Sequence, residues 1–342
     1  MGALPHVFPG YQPVDDRQTR ARFEARYGTA LPPHVGLKTT EYYEAAETGE
    51  LRALLVMAMD PAATDPNLAR ARAAYSKLEF MAVMEIFMTD TAKLADVVFP
   101  AASFAEKEGT FTNAERRVQL FGKIIEPLKG TRPDWRILLD LAERMGAPMP
   151  FESPARIWDE VAELTPAFAG ISHERLAREG GLCWPCPAPD HPGTPVMYEV
   201  NFPNGLARFS APPASEPHES PDTQYPFTLI TGRRLAHYNN GSMTRRSRGL
   251  MRVCAGETLD IHPSDARKLR LRDGGWARVS SRRGSVAARV KVTDETLEGR
   301  VFMSFHFPQT PVNFLTSEAV DAEAGTPEYK VTAVRVERMK HK

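Results

Sequence analysis

The stretch LRALLVMAMDPAATDPNLARARAAYSKLEFMAVMEIFM, residues 51–88, decides the fold. The apolar run 51–59 ends at Asp60-Pro61 and reads as a strand. Residues 66–78 follow with helical spacing, and 79–88 form a second apolar run. Strand, helix and strand at this spacing make a parallel pair with a helical crossover. The near-continuous apolar strands predict burial on both faces. Continuing outward, TDTAKLA (89–95) reads as a short helix with Thr89 as its N-cap, and DVVFP as a third strand ended by Pro100. Asp60 and Thr64 fall just beyond the first strand, where open α/β sheets collect ligands. A carboxylate there can accept two N–H donors from a guanine edge. The alternative is that Asp60 only starts a turn before Pro61.

Upstream, DDRQTRARFEARYG (15–28) reads as a helix stopped by Gly28, and TEYYEAAETGE (40–50) as a second helix stopped by Gly49. Downstream, TRPDWRILLDLAERMG (131–146) is an amphipathic helix with Trp135, Leu138, Leu139, Leu141 and Met145 near helical spacing. PARIWDEVAELTP (154–166) is another helix. Residues 181–225 are Pro-rich and irregular, an ordered connector anchored by Trp184, Tyr198, Phe202 and Phe209. From 226 the pattern becomes β, with strands in 227–232, 257–262, 276–294, 299–307 and 329–339 and one short helix at 263–271. Short strands at this density predict a small closed barrel. The organisation expected is 1–180, 181–225 and 226–342.

The chain has 342 residues, which suits two domains. Its 43 basic and 43 acidic side chains cancel, which argues against a general nucleic-acid binder. Three cysteines are too few for a secreted disulfide scaffold, so a reducing, cytoplasmic setting is expected. No apolar run is long enough to span a bilayer, and the opening lacks signal-peptide character.

Two cysteines, Cys183 and Cys186, stand in the C-x-x-C of GLCWPCPAPDHPGT (181–194). A zinc site needs a second pair of ligands, which is not evident. A thioredoxin-like dithiol should open a helix, yet Pro187, Pro189 and Pro192 follow at once. The pair reads as two incidental thiols in a loop. EKEGTFTNAERRVQ (106–119) could wrap an anion through Thr112, Asn113 and its arginines, or be a solvated hairpin. The densest polar stretch is TGRRLAHYNNGSMTRRSRG (231–249), rich in donors suited to phosphates and heterocycles. Neither the P-loop nor the G-x-G-x-x-G pattern occurs, so ATP and NAD have no motif support. No Ser nucleophile sits in G-x-S-x-G, and no carboxylate pair suits acid–base work.

Together, MGALPHVFPGYQPV, ADVVFPAASFAEKEGTFTNAERRVQ, RPDWRILLDLAERMG, HYNNGSMTRRS, NFLT and TPEYKVTAVRVE resemble the catalytic (alpha) subunit of molybdopterin-dependent formate dehydrogenases over essentially the whole chain. That resemblance implies an α/β Rossmann-like parallel sheet domain, then a double-psi, molybdopterin dinucleotide-binding β-barrel. It implies bis-molybdopterin guanine dinucleotide carrying Mo or W. It places Asp60 and Thr64 at one guanine end, Arg233, His237 and Asn239 on the barrel loop, and Asn313, Tyr329 and Lys330 as further contacts. Two positions depart from the pattern: Arg234 stands where an acid can occur, and Phe305 where a Tyr can occur. The family's 4Fe–4S cysteines, its Cys or selenocysteine metal ligand and its catalytic Arg have no counterpart here. The chain therefore resembles a C-terminal half, inactive alone. Its implied partners are the missing N-terminal half or a separate chain, electron-transfer subunits, and formate as the complete enzyme's substrate. Alternatives are another molybdopterin oxidoreductase, a relative of the NADH–quinone oxidoreductase large subunit, or a non-catalytic cofactor-binding subunit.

Overall fold

The hydrophobic pattern of 51–88 folds as read, with strands and helices alternating, in a computed structural model that describes residues 4–202, 204–211 and 215–339. The first residues of the MGALP opening lie outside the described residues. The chain divides into two units: Met1–Lys38 with Phe99–Pro212, and Thr39–Val98 with Pro213–Lys342.

In chain order, β1 (Val7–Phe8) and β2 (Gln12–Pro13) form a small antiparallel pair before α1 (Arg17–Tyr27). Asp16 caps α1 by accepting from Thr19 N at 2.7 Å, satisfying one of the helix's free N–H groups. Gly28 ends the helix at φ +67°, a conformation glycine adopts without a Cβ clash. The second unit then begins with α2 (Tyr42–Thr48), β3 (Ala53–Met57), α3 (Pro61–Thr64), α4 (Leu68–Tyr75) and β4 (Phe80–Glu85), and the division between units falls within β5 (Val97–Pro100). β3 and β4 pair in parallel, Val56 opposite Val83, within the sheet order β3-β4-β5. This parallel sheet is the part of the Rossmann-like expectation that the structure carries.

Two local expectations fail here. Burial on both faces does not hold for β3, where Ala53, Leu55 and Met57 are exposed and Val56 alone is buried. The apolar core lies on the other face, among Tyr43, Ala46, Val56, Ala71, Ala74, Tyr75, Met81 and Val83. Residues 89–95 are turns rather than a helix. Thr89 still accepts from Ala92 N at 3.2 Å, but Thr91 is drawn to Asp60.

The first unit resumes with β6 (Gly109–Thr112), β7 (Arg117–Phe121), α5 (Asp134–Arg144), α6 (Pro154–Leu164), α7 (His173–Glu179) and β8 (Leu182–Cys183). β6, β7 and β8 form one antiparallel sheet. On α5 Leu139 is buried and Trp135 and Leu141 are half-buried as expected, while Leu138 and the C-cap Met145 are exposed and Ile137 is buried instead. The aromatic anchors expected in the connector also fail in part: Phe209, Tyr198 and Phe202 are exposed, whereas Trp184 packs edge-on against Phe168.

The C-x-x-C loop is structural. Cys183 and Cys186 are both free and buried. Arg175 donates to the carbonyls of Gly170, Ala188 and His191 and lies 3.4 Å from Cys186 Sγ. Arg116 of the 106–119 hairpin reaches the carbonyls of Trp184, Thr194 and Pro195. Asn113 accepts from Glu115 N and Arg117 N. Arg116 and Asn113, both considered for an anion, therefore hold this loop and their own turn.

In the second unit β9 (Phe227–Gly232), α8 (Arg248–Val253), β10 (Thr258–Ile261), α9 (Pro263–Lys268), β11 (Trp276–Ser280), β12 (Ser285–Val292), β13 (Arg300–Ser304) and β14 (Thr332–Arg338) follow. The six strands close in the order β10-β12-β11-β14-β9-β13, with β13 pairing back to β10. Alternation turns Phe227, Leu229, Val279, Val290, Val301, Met303, Val334 and Val336 into one core. Closure leaves no sheet edge and sends the loops to the barrel ends, where polar residues collect.

Candidate functional site

All eight residues singled out by resemblance lie in the second unit. The first group grows from the end of β3. Its backbone leaves the sheet at Asp60, which starts α3 with Pro61 at the first helical position. Asp60 Oδ1 accepts from Thr91 N at 2.9 Å and Thr91 Oγ1 at 2.8 Å. Its Oδ2 accepts from the Asn240 amide at 3.0 Å, tying the strand end to the barrel loop. An ionised carboxylate offers about four acceptor positions, so one remains on Oδ2.

Thr64, at the end of α3, donates its hydroxyl to Asp60 O at 3.1 Å. Its own carbonyl accepts from Asn313 Nδ2 at 2.6 Å. Asn313 is buried, and its Oδ1 has no hydrogen-bond partner. A narrow cavity of about 10 Å³ is lined by Arg72, Asp90, Asn240, Arg245, Phe305 and Asn313, among others. Arg245 Nε is likewise buried without a partner, and burial holds this guanidinium below its ordinary pKa. The cluster thus contains an unmatched acceptor and an unmatched donor beside a cavity the size of a single water.

Asp65 follows directly. It is buried, and Tyr75 donates to its Oδ2 at 2.5 Å. Tyr43 faces the same carboxyl without reaching hydrogen-bond geometry. Burial pushes Asp65 up to about 6, against the lowering effect of the Tyr75 hydrogen bond. Tyr329 is raised above its ordinary pKa by burial and then by the Asp65 charge. Glu85, at the end of β4, is raised by burial and feels Asp60.

The second group is the loop after β9. Arg233 and Arg234 are neighbours with opposite fates. Arg233 is exposed and donates to Asn239 Oδ1 at 2.8 Å, with Phe305 beneath it at 5.7 Å. Arg234 turns inward, bonding both oxygens of Asp260 at 2.8 and 3.2 Å and Thr258 Oγ1 at 2.6 Å. Glu257 lies 3.5 Å away and donates nothing; it accepts from Ser304 N at 2.9 Å, and burial raises its pKa. Arg234, the departure noted in the sequence, is thereby part of the barrel's internal charge network.

His237 is buried with both ring nitrogens engaged. Nε2 meets the Cys254 carbonyl at 2.8 Å, so it carries the hydrogen, and Nδ1 accepts from Thr244 Oγ1 at 3.0 Å. Asn239 is exposed at φ +47°. Gly241 sits at φ +74°, and a Cβ there would meet His306 O at 2.8 Å and Arg245 Nε at 2.9 Å. Lys330 donates to Thr231 O at 3.2 Å and faces the Phe305 ring at 5.7 Å, leaving one face exposed. Tyr329 O accepts from Thr231 Oγ1 at 2.6 Å.

The structure brings Asp60, Thr64 and Asn313 into one hydrogen-bonded cluster with Asn240. Arg233, Asn239 and Lys330 gather around Phe305 and the β9 loop, and His237 serves that loop from within. Sequence reading named Asn240 and Arg245 only as part of a polar stretch, and it missed Asp65, Glu85 and His306. An internal Asp or His in an apolar context carries no local pattern that separates it from a surface one. Among the described residues no group of three or more His, Cys, Asp or Glu side chains is arranged to hold a metal ion. No helix among them is long and apolar enough to cross a membrane.

Residues 11–144 match the family described as Molybdopterin oxidoreductase, and 227–333 match the Molydopterin dinucleotide binding domain. F420-dependent formate dehydrogenase 2 subunit alpha of Methanococcus maripaludis is 43% identical over 99% of this chain and 50% of its own length. Formate dehydrogenase H of Escherichia coli is 38% identical over 98% of this chain and 48% of its own. The chain thus spans about half the length of the curated relatives it matches. Acetylene hydratase from Pelobacter acetylenicus shares the fold at TM-score 0.69 and 16% identity, covering 94% of this chain and 50% of that one. The chain thus carries a Molybdopterin oxidoreductase region followed by a Molydopterin dinucleotide binding domain, and its relatives at 38–43% identity are named as formate dehydrogenases.

Proposed function

We propose that this chain is the dinucleotide-holding part of a formate dehydrogenase alpha subunit, an enzyme that oxidises formate to carbon dioxide, a proton and two electrons. The observation that carries the reading is the cluster of Asp60, Thr64, Asn240 and Asn313, where a strand end of the α/β sheet meets the barrel loops. The donor set fits a guanine dinucleotide. Asp60 keeps an open acceptor position for guanine N–H groups, and Asn313 Oδ1 and Arg245 Nε are buried without partners. Exposed Arg233 and Lys330 offer fixed cationic donors to a pyrophosphate. Asn239 orients Arg233, and Tyr329 and His237 hold the segments that carry Lys330 and Asn239. When bound, the molybdenum or tungsten pterin supplies the two-electron chemistry. This chain's residues bind and orient it. Under this reading the 4Fe–4S centre, the metal ligand and the catalytic Arg belong to the part of the relatives that this chain does not span. That part, or a separate chain, is the partner, together with electron-transfer subunits in a reducing cytoplasm. The domains are 1–180, a connector 181–225, and a double-psi barrel 226–342.

Binding of GDP and ADP to the full chain, read by calorimetry, tests the reading. GDP is expected to bind in preference to ADP. Asp60→Ala should weaken GDP roughly 10-fold or more, the loss typical of hydrogen bonds to a charged group. Equal binding of both nucleotides, or no dependence on Asp60, would overturn it.

A further inference from the structure

His306 has no place in the reading above, yet it is wholly buried just beyond β13. Its Nε2 accepts the Arg234 backbone N–H at 2.8 Å. Its Nδ1 meets the Asn239 carbonyl. A carbonyl can only accept, so Nδ1 carries the hydrogen. An amide N–H can only donate, so Nε2 must be bare. The two contacts together admit one species, the neutral Nδ1–H imidazole.

The ring thereby bridges both ends of the segment 234–239. That segment needs a clamp, because Asn239 lies at φ +47°, a conformation most residues avoid. We infer that His306 is a positioning residue: its neutral ring pins the loop that presents Arg233 and Asn239, and protonation of the ring releases that loop. A second ring proton would set Nε2–H against the Arg234 N–H, replacing a hydrogen bond with two opposed donors.

The surroundings favour the neutral form. Phe305, Phe307 and His237 pack around the ring. Its charged neighbours are Arg233 and Arg234, with His237 as a second titratable ring. Lys330 faces Phe305, and Arg245 lies beside Gly241. The nearby carboxylates Asp260 and Glu257 are engaged by Arg234 and Ser304. Burial holds His306 below its ordinary pKa of 6.5, and His237, Arg233 and Arg234 act in the same direction against the raising effect of the Asn239 bond. A glutamine amide can make both backbone contacts and cannot titrate. A leucine makes neither.

What the loop holds rests on the proposed function; the pin itself does not. The test therefore has two arms on the full chain. In the first, nitrogen-15 NMR of the histidines gives the His306 tautomer, and hydrogen exchange follows the Arg234 amide as pH is lowered. The expected result is the Nδ1–H tautomer near neutrality, with Arg234 exchange protection lost on acidification in the wild type and retained in His306→Gln. In the second, GDP affinity is measured from near pH 7.5 down to the pH at which the first arm shows the His306 ring protonated. His306→Gln should match the wild type at the higher pH. The wild type should lose about 10-fold more affinity than His306→Gln on acidification, the effect of one buried hydrogen bond lost. His306→Leu should be about 10-fold weaker at both ends of that range. An Nε2–H tautomer, a ring charged near neutrality, equal pH responses in wild type and His306→Gln, or a glutamine variant as weak as the leucine variant would each overturn the pin. A wild type that binds no GDP refutes the functional reading instead, and the first arm still decides the pin.

Discussion

Replacing Asp65 by asparagine should make this protein more stable at neutral pH, against the usual expectation for a buried, hydrogen-bonded residue. The carboxyl is 5% exposed, and burial raises it from 3.8 to about 6. The sign follows from where each state holds its proton. The unfolded chain loses the Asp65 proton near pH 4, whereas the folded chain keeps it to about 6. Between those values unfolding releases a proton, so Asp65 lowers stability progressively as pH rises through the window. Above it the full cost remains, about 3 kcal/mol for a change of this size. Asparagine cannot ionise, and its carbonyl still accepts from Tyr75. The variant should match the wild type near pH 4 and exceed it by about 2–3 kcal/mol at pH 7. In thermal unfolding this is roughly 5 °C or more for a unit of this size. Urea denaturation of both proteins across this range isolates the effect, because the other titrating groups cancel in the difference. A variant less stable at pH 7, or a difference that does not change with pH, would refute the reasoning. The result bears on the proposed function because Asp65 directly follows Thr64; a costly buried acid beside a binding turn is a familiar stability–activity compromise.

The adjacent arginines give a contrasting pair. Arg234→Ala leaves buried Glu257 without its cation and buried Asp260 with only Lys291 at 3.4 Å, and should cost about 3 kcal/mol in a denaturant melt. Arg233→Ala should change stability by less than about 0.5 kcal/mol while weakening GDP binding; a reversed order would show that the inward and outward assignments are wrong. The purified chain, given formate and a dye acceptor, should show no turnover, because the reading assigns it no catalytic group. Metal-dependent dye reduction would sink that assignment.

Several structural residues explain why the polar segments look more ligand-like in sequence than they are in space. Arg116 and Arg175 fasten the C-x-x-C loop through its carbonyls. Arg234 serves the barrel interior. A guanidinium carries five donors in a rigid fork, so the same side chain that suits a phosphate also suits converging backbone oxygens. Motif spacing does not tell the two uses apart.

The sequence by itself determined the secondary structure of most of the chain, since that follows from local periodicity and caps. The β-α-β unit at 51–88, the helix from Arg17 to Tyr27 between Asp16 and Gly28, and the strand-rich end were legible for this reason. Barrel closure was expected from strand density, and the pairing of β13 with both β9 and β10 bears it out. Tertiary structure alone decided which polar groups meet. Asp60 finds Asn240 across 180 residues, and Thr64 finds Asn313 across 249. It also decided that Leu55 and Met57 stay exposed while Ile137 is buried, and that His306 must be neutral. Burial and hydrogen-bond direction depend on what surrounds a residue in space, and one chain's local pattern does not encode its distant neighbours.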